Sequence, residues 1–420
     1  MRKNRKIKAN DTRQNIILEK KLLTPQKIFA VVFLISILLI GISFSILTVQ
    51  DARRLDVAYY GLPEHVSDAL GQTLQHIDTH TYYPNGVRET MLTVDDMQNE
   101  KRVARSYDVL FMWNGAQANH IADNAQNISA DIYNAFPSAI RQVGENGKVL
   151  PVLLDHYEVA CLHDAQQQNV PENFAMFEMY LDALKETVAF PLFCAGSDDE
   201  VMLAFIGAIV ESLAGNSGYT ALVEEINKAQ SFDACLDTRL SEINNQEITL
   251  RTILAVVVSW QKSGIIHQSW TAAVWEDALA FMRDKVVGVV FMSLSQHRTV
   301  PLRTIQNYTI TRFPPSANVQ NHALIAPSVV LITFSNNEQF RNNVALSFVS
   351  EQLQEYLSNL TQLAPTASRG SAFDRQADDV RYWAASCASG PVAALGNAAF
   401  ALTEQQASFA KDVRNYLRTQ

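Results

Sequence analysis

The run "IFAVVFLISILLIGISFSILTV", Ile28 to Val49, holds 22 residues without a charge, and it limits where everything after it can fold. At 1.5 Å rise per residue, a helix of this length crosses a hydrocarbon core of about 30 Å. Residues 1–27 carry nine Lys/Arg against two acids. The positive-inside rule keeps that flank cytoplasmic. A buried core helix is the alternative, disfavoured by the basic flank and the N-terminal position. A cleaved signal peptide would have a shorter leader, a shorter apolar stretch and an A-x-A site, none of which is found. No cysteine closes the run, which removes the ordinary lipoprotein anchor. The expectation is a cytoplasmic segment 1–27 and an uncleaved transmembrane signal anchor 28–49. The chain is then single-pass in the inner membrane, with its C-terminal bulk periplasmic or extracellular.

Past the first 27 residues the balance is 25 basic to 41 acidic, or −16. Phosphate binding wants a basic stripe, so a nucleic-acid partner is not expected. The 420 residues suffice for two domains, and 48% hydrophobic content excludes wholesale disorder. Cys161, Cys194, Cys235 and Cys387 are far apart and form no zinc spacing. They allow three disulfide pairings or none. There is no G-x-S-x-G elbow, H-E-x-x-H or phosphate loop. Asp198-Asp199 reads as a solvated loop rather than a catalytic pair, so neither an enzyme, a metal nor a cofactor is expected.

Beyond the anchor, short apolar runs alternate with helical patterns, the sign of an α/β protein. "LDVAYYGLPEHVSDALGQTLQHI" gives strand, turn and amphipathic helix, and "SYDVLFMWNGAQANHIADNA" repeats the order. Were the sheet open and parallel, Tyr59, Tyr60, Trp113 and Asn114 would face the crevice at the strand ends. One segment resists this scheme. "VLPVLLDHYEV" begins as a core strand and then places Asp155, His156, Tyr157 and Glu158 in a row. Ionised carboxylates leave water only when paired or hydrogen-bonded. Either the strand leaves the core at Asp155 or it lines a cleft.

The succession "YDVLFMW", "NGKVLPVLLDHYEVACLHDAQ", "VPENFAMFEMYLDALKE", "FPLFCAGSDDEVMLAFIGAIVES", "AFMRDKVVGVVFMSLS" and a late helix before "LAPT" resembles the extracellular solute-binding proteins of ABC importers. The likeness is to their carbohydrate-binding group, which includes maltose-binding protein. It implies a two-lobe periplasmic binding protein fold, each lobe discontinuous, around a central hinge. The lobes are expected at 55–155 plus 310–363 and at 156–309 plus 364–420, with helix 339–357 on the first. It also implies that the segment at Asp155 crosses between lobes, where Asp155 is either a ligand-contacting acid or a hinge carboxylate. Two positions depart from the family pattern. Asp284 stands for a turn glycine, and Leu294 for a ring-stacking tryptophan that Trp113, Trp270, Trp275 or Trp383 would have to replace.

The expected ligand set is Tyr60, Trp113 and Asn114 from one lobe, Ser197, Asp198 and Ser293 from the other, and Asp155 and Tyr157 at the base. The implied function is capture of a small solute, in the family a carbohydrate, for an ABC permease in the inner membrane. A membrane-tethered sensor or envelope interaction protein of the same fold is the alternative.

Overall fold

The computed structural model describes Phe33, residues 35–37, and Arg54 to Gln420 except 78, 80, 145, 164–169, 230, 244–245 and 373. The expected anchor 28–49 therefore lies outside the described residues apart from helical Phe33, Ile35, Ser36 and Ile37. Residues from Arg54 onward form a compact unit of their own.

Along that unit run β1 (Leu55–Tyr60), β2 (Val87–Met91), β3 (Val109–Trp113), β4 (Val149–Leu154), β5 (Tyr157–Leu162) and β6 (Phe190–Cys194). A hairpin follows, β7 (Arg239–Ile243) and β8 (Gln246–Thr249), and then β9 (Val287–Ser293) and β10 (Tyr308–Arg312). The last strands are β11 (Leu324–Ile325), β12 (Ser328–Thr333), β13 (Ala364–Pro365) and β14 (Pro391–Val392). A larger sheet has the order β13-β4-β12-β3-β1-β2, and a smaller one β10-β5-β9-β6. Neither is purely parallel, which corrects the parallel reading. In the larger sheet β12 runs antiparallel to both β3 and β4. It reaches that sheet from the smaller one, so it enters from the side at which β3 and β4 end.

The chain crosses between the sheets at 155–156, between β4 and β5, and again at 313–327, between β10 and β12. A third crossing follows helix Arg375–Ser386. The strands β4 and β12 are buried along their whole length, as strands covered on both faces should be. Pro151 inside β4 cannot donate to the ladder, and the β4–β12 register shifts between Val329 and Val330, opposite it. The carbonyls released there are taken by side chains. Gln354 Nε2 donates to Val152 O at 2.8 Å, and Thr366 Oγ1 lies 3.0 Å from both Pro151 O and Val152 O. Gln354 Oε1 accepts in turn from the Thr366 and Ala367 amides.

Helices Glu338–Phe348 and Glu351–Thr361 pack on the larger sheet through Phe340, Val344, Phe348 and Leu357. So does more of the C-terminal part than expected. β13 pairs with β4, and Ala377, Val380 and Ala384 of helix Arg375–Ser386 join the same core. Their apolar face matches the larger sheet, and only from helix Leu395–Ala399 onward does the chain pack with the smaller one. The core there centres on Phe205, whose ring meets Trp270, Phe291, Trp260 and Phe313.

Helix Asp199–Lys228 is long and apolar enough to cross a membrane, yet it is largely buried in this core. It is also broken at Gly215, where φ is 70°. A Cβ at Gly215 would lie 2.5 Å from Val319 Cγ1 and 3.0 Å from Asn321 O. The glycine is needed both for the left-handed turn and for the close passage of the second crossing.

Gln354→Leu should leave the buried Thr366 and Ala367 amides without their acceptor and take a donor from the Val152 and Phe348 carbonyls, at about 1–3 kcal/mol for each orphaned group. Chemical denaturation should show a loss of at least about 2 kcal/mol, and a neutral result would mean that the bulge at Pro151 is satisfied otherwise.

Candidate functional site

The ends of β1 and β3 border a cleft whose other wall comes from the start of helix Asp199–Lys228 and from residues 397–406. Asn114 extends the β3–β12 pairing one residue past Trp113. Its backbone N–H donates to Ser328 O, and its Oδ1 accepts from the Ser328 amide, both at 2.8 Å. Directly after it, Gly115 has φ 142°, and a Cβ there would lie 2.1 Å from Asn397 O. This contact between the two sides divides the cleft into two cavities that share Asn114 and Gly115.

The smaller cavity, about 240 Å³, is lined by Tyr60, Trp113 and Gln117 from one side and by Glu200, Asn397, Phe400 and Gln406 from the other. The larger, about 610 Å³, is lined by Asn119, Gln142, Asn146, Asn216, Thr220 and Ser389, among others. Its polar lining is amide and hydroxyl and carries no charged side chain. Such groups both donate and accept, as recognition of hydroxyl-rich, uncharged matter requires.

Of the expected ligand residues, Tyr60, Trp113 and Asn114 line these cavities. The other five do not. Tyr157 stacks on Phe291 at 5.5 Å and donates to Glu200 Oε1 at 3.5 Å. Ser293 caps the short helix Leu294–His297, accepting from the Gln296 amide. Ser197 is exposed and offers its carbonyl to Arg414. Asp198 caps helix Asp199–Lys228, accepting from the Glu200 and Val201 amides.

Asp155 is engaged internally on all sides. Its Oδ1 accepts from the His156 amide at 2.8 Å and the Ser295 amide at 3.1 Å, and its Oδ2 from Ser295 Oγ at 2.7 Å. Burial pushes its carboxyl up from the usual range, against the pull of these hydrogen bonds. Its partners come from within the protein, with Ser295 where the hinge reading expected a basic residue.

Glu158 is wholly buried. His297 Nδ1 lies 2.7 Å from its Oε1, and Gln376 Nε2 donates to its Oε2 at 2.9 Å. His156 Nδ1 stands 3.6 Å from Oε2, an ion-pair distance too long for a hydrogen bond. Burial pushes the Glu158 carboxyl up, but the two imidazoles outweigh it and hold it below the ordinary value. A third buried acid, Glu211, accepts from the Ala323 amide at 2.6 Å and from His322 Nδ1 at 3.1 Å. Burial depresses the His322 pKa, yet Glu211 prevails and raises it above the free value.

The departures at Asp284 and Leu294 also have physical answers. Asp284 has ordinary φ, and the left-handed position falls on Lys285, φ 55°. Leu294 is buried in the larger-sheet core and offers the cleft no surface. Trp270 is buried against Gly196, Trp275 donates to Thr299, and Trp383 packs beside His156. Of these, Trp113 alone lines the cavities described. All four cysteines are buried and unpaired. Among the described residues, no group of three or more His, Cys, Asp or Glu is placed to hold a metal ion.

Sequence reasoning missed Glu200, Asn397 and Phe400. Glu200 is the third acid of "SDDE", where the helix is about to turn apolar, a faint sign that it points to a boundary. Asn397 and Phe400 come from the C-terminal crossing, about 200 residues later in the chain, and no local pattern joins them to the site.

Two mixed sheets joined by three crossings, with a cleft at the crossings, define the fold of the carbohydrate-binding solute receptors. The bacterial solute receptor AcbH, reported with an exclusive preference for β-D-galactopyranose, superposes with TM-score 0.66 at 12% identity, over 87% of this chain and 98% of its own. RafE in complex with raffinose matches at 0.57 and 11%, over 87% and 99%. Maltose-bound MalE3 of T. maritima matches at 0.53 and 14%, over 87% and 99%. No protein-family profile matches the chain, and no curated protein matches it in sequence.

Two predictions follow from this geometry. A group whose folded pKa is raised stabilises fully below its unfolded value, and that contribution is lost as pH rises through the folded value. His322→Asn should therefore cost more stability near about pH 6 than near about pH 9 in urea titrations. Equal losses would show that the imidazole acts only by packing. Gly115→Ala should drive the Gly115–Asn397 contact apart, raising the radius of gyration in small-angle scattering. An unchanged radius would mean the two sides are not in contact in solution.

Proposed function

We infer that the chain is a solute-binding protein that captures a small solute, a carbohydrate or close relative, by closing two lobes around it. The larger and smaller sheets with their helices are the lobes, and the residues flanking 155–156, 313–327 and 387–394 are the hinge. One observation carries this reading. The cleft at the crossings is walled from both sides by aromatic and amide side chains, Trp113 and Asn114 opposite Asn397 and Phe400. Only the closed arrangement makes both sets of contacts, so a ligand there shifts the equilibrium toward closure by its differential affinity.

The fold neighbours are receptors rather than enzymes, which supports binding without turnover. The uncharged run at 28–49 supports tethering to the inner membrane with the lobes outside the cytoplasm. An ABC permease in that membrane would accept the closed form.

A thermal-shift screen of the chain against mono- and oligosaccharides, polyols and peptides tests the reading. A ligand that binds only the native state adds about 2.7 kcal/mol at 100 times Kd, enough for a clear shift. Saccharides or polyols should shift the transition and peptides should not, and Trp113→Ala should abolish the shift while leaving the unliganded transition within about 1–2 kcal/mol of the parent. Stabilisation by peptides alone, or a full shift in Trp113→Ala, would contradict the assignment.

A further inference from the structure

Glu200 is the one charged residue lining the 240 Å³ cavity. It makes no ion pair with any described residue. Its Oε1 has Tyr157 Oη at 3.5 Å and Asn397 Nδ2 at 3.4 Å, both at the outer limit of a hydrogen bond. The other acids nearby are already used: Asp198 on its helix cap, Asp155 on Ser295. The nearby cation, Arg414, is committed to Asp199 and to the carbonyls of Gly196 and Ser197. The cavity therefore has one under-compensated carboxyl and no positive charge, walled by Tyr60, Trp113 and Phe400. Glu200 is half-buried, and an anion so placed is costly unless an opposite charge reaches it, while aromatic walls attract cations.

We propose that this cavity takes a solute bearing a protonated amine, with Glu200 as its counter-ion and Tyr60, Trp113 and Phe400 as its walls. The proposal rests on the solute-capture reading and narrows its ligand class to amine-bearing polyols and sugars. The volume suits this, since 240 Å³ is room for roughly eight waters. The amide-lined cavity beyond Gly115 and Asn397 would receive the hydroxyl-bearing remainder of a longer ligand.

Burial, then the charges of Asp198 and Asp155, push the Glu200 carboxyl up to about 7. The groups facing it from the packed elements are Tyr157 on β5, Asn397 and Gln406 from the C-terminal helices, and Tyr60, Trp113 and Gln117 across the cleft. Beside these stand the charged groups Asp198, Asp155, Asp199 and Arg414, each already engaged with its own partners. Ionisation of Glu200 between about pH 6 and 8 should then appear directly in the affinity for a cation.

The probes are 1-amino-1-deoxy-D-glucitol, whose amine stays protonated across that range, and sorbitol, its uncharged match. Calorimetry on the full chain in detergent should show the amine binding, and binding about ten-fold more tightly near pH 8 than near pH 6. Sorbitol should bind more weakly and without that rise. Glu200→Gln should remove the preference and the pH dependence together. Should that variant fail to fold, the pH profile of the unaltered chain decides alone. No binding of the amine, equal binding of sorbitol, or a flat pH profile would overturn the proposal. Saccharide hits in the thermal-shift screen would in that case leave the solute-capture reading standing, whereas a blank screen would remove both.

Discussion

Three buried carboxylates hold the crossings, and the cleft depends on them. Asp155 ties the first crossing to Ser295, just past the end of β9. Glu158 joins β5 to His297 and, through Gln376, to the helix that precedes the third crossing. Glu211 fixes the second crossing at His322 and Ala323, four residues before the break at Gly215. Asp155 stands where the backbone leaves one sheet for the other, while Glu158 within β5 and Glu211 within helix Asp199–Lys228 reach the crossings from neighbouring elements. Breaking a buried pair by removing one partner costs about 3–5 kcal/mol, whereas the intact pair adds little net stability. Their contribution is therefore the positioning of the crossings more than the stability of the fold.

That positioning explains why the cleft is where it is. Strands of both sheets end near the crossings: Tyr60 and Trp113 at the ends of β1 and β3, Tyr157 at the start of β5 and Ser293 at the end of β9. Tyr157 and Ser293 are absorbed by the hinge, and the cleft surface of the smaller-sheet side passes to Glu200 and to the C-terminal Asn397 and Phe400. A division of labour results. Carboxylates at the crossings are neutralised internally by amides, hydroxyls and imidazoles, and the one left incompletely compensated, Glu200, borders open space.

Much of the fold was legible in the sequence because its strands announce themselves. "VLFMW" and "VLPVLL" are apolar from end to end, and helix ends carry caps such as Asp198 and Ser293. The order of segments then pointed to two discontinuous lobes. What the sequence placed too early was the third crossing, expected at 363–364 and lying past helix Arg375–Ser386. Residues 364–386 pack on the larger sheet because of contacts across about 200 residues of chain, such as β13 to β4 and Thr366 to Pro151 O, and periodicity carries no such information. The same limit applies to the site. "DHYE" was readable as anomalous, and its acids are partnered within the protein, since a sequence shows that a carboxylate needs partners but not whether protein or ligand supplies them. Trp113 and Asn114 were found because strand ends are local features. Asn397 and Phe400, brought in by tertiary packing, were not.

The central claim is that buried hydrogen bonds hold the crossings fixed. Residue-resolved hydrogen exchange tests it most directly. The amides of Ser295, His156, Leu294 and Ala323, which donate to Asp155, the His156 carbonyl and Glu211, should be protected to nearly the level of the β4 and β12 core, with opening free energies approaching that of global unfolding. Exchange of these amides at the rate of exposed loops, while β4 and β12 stay protected, would contradict the account.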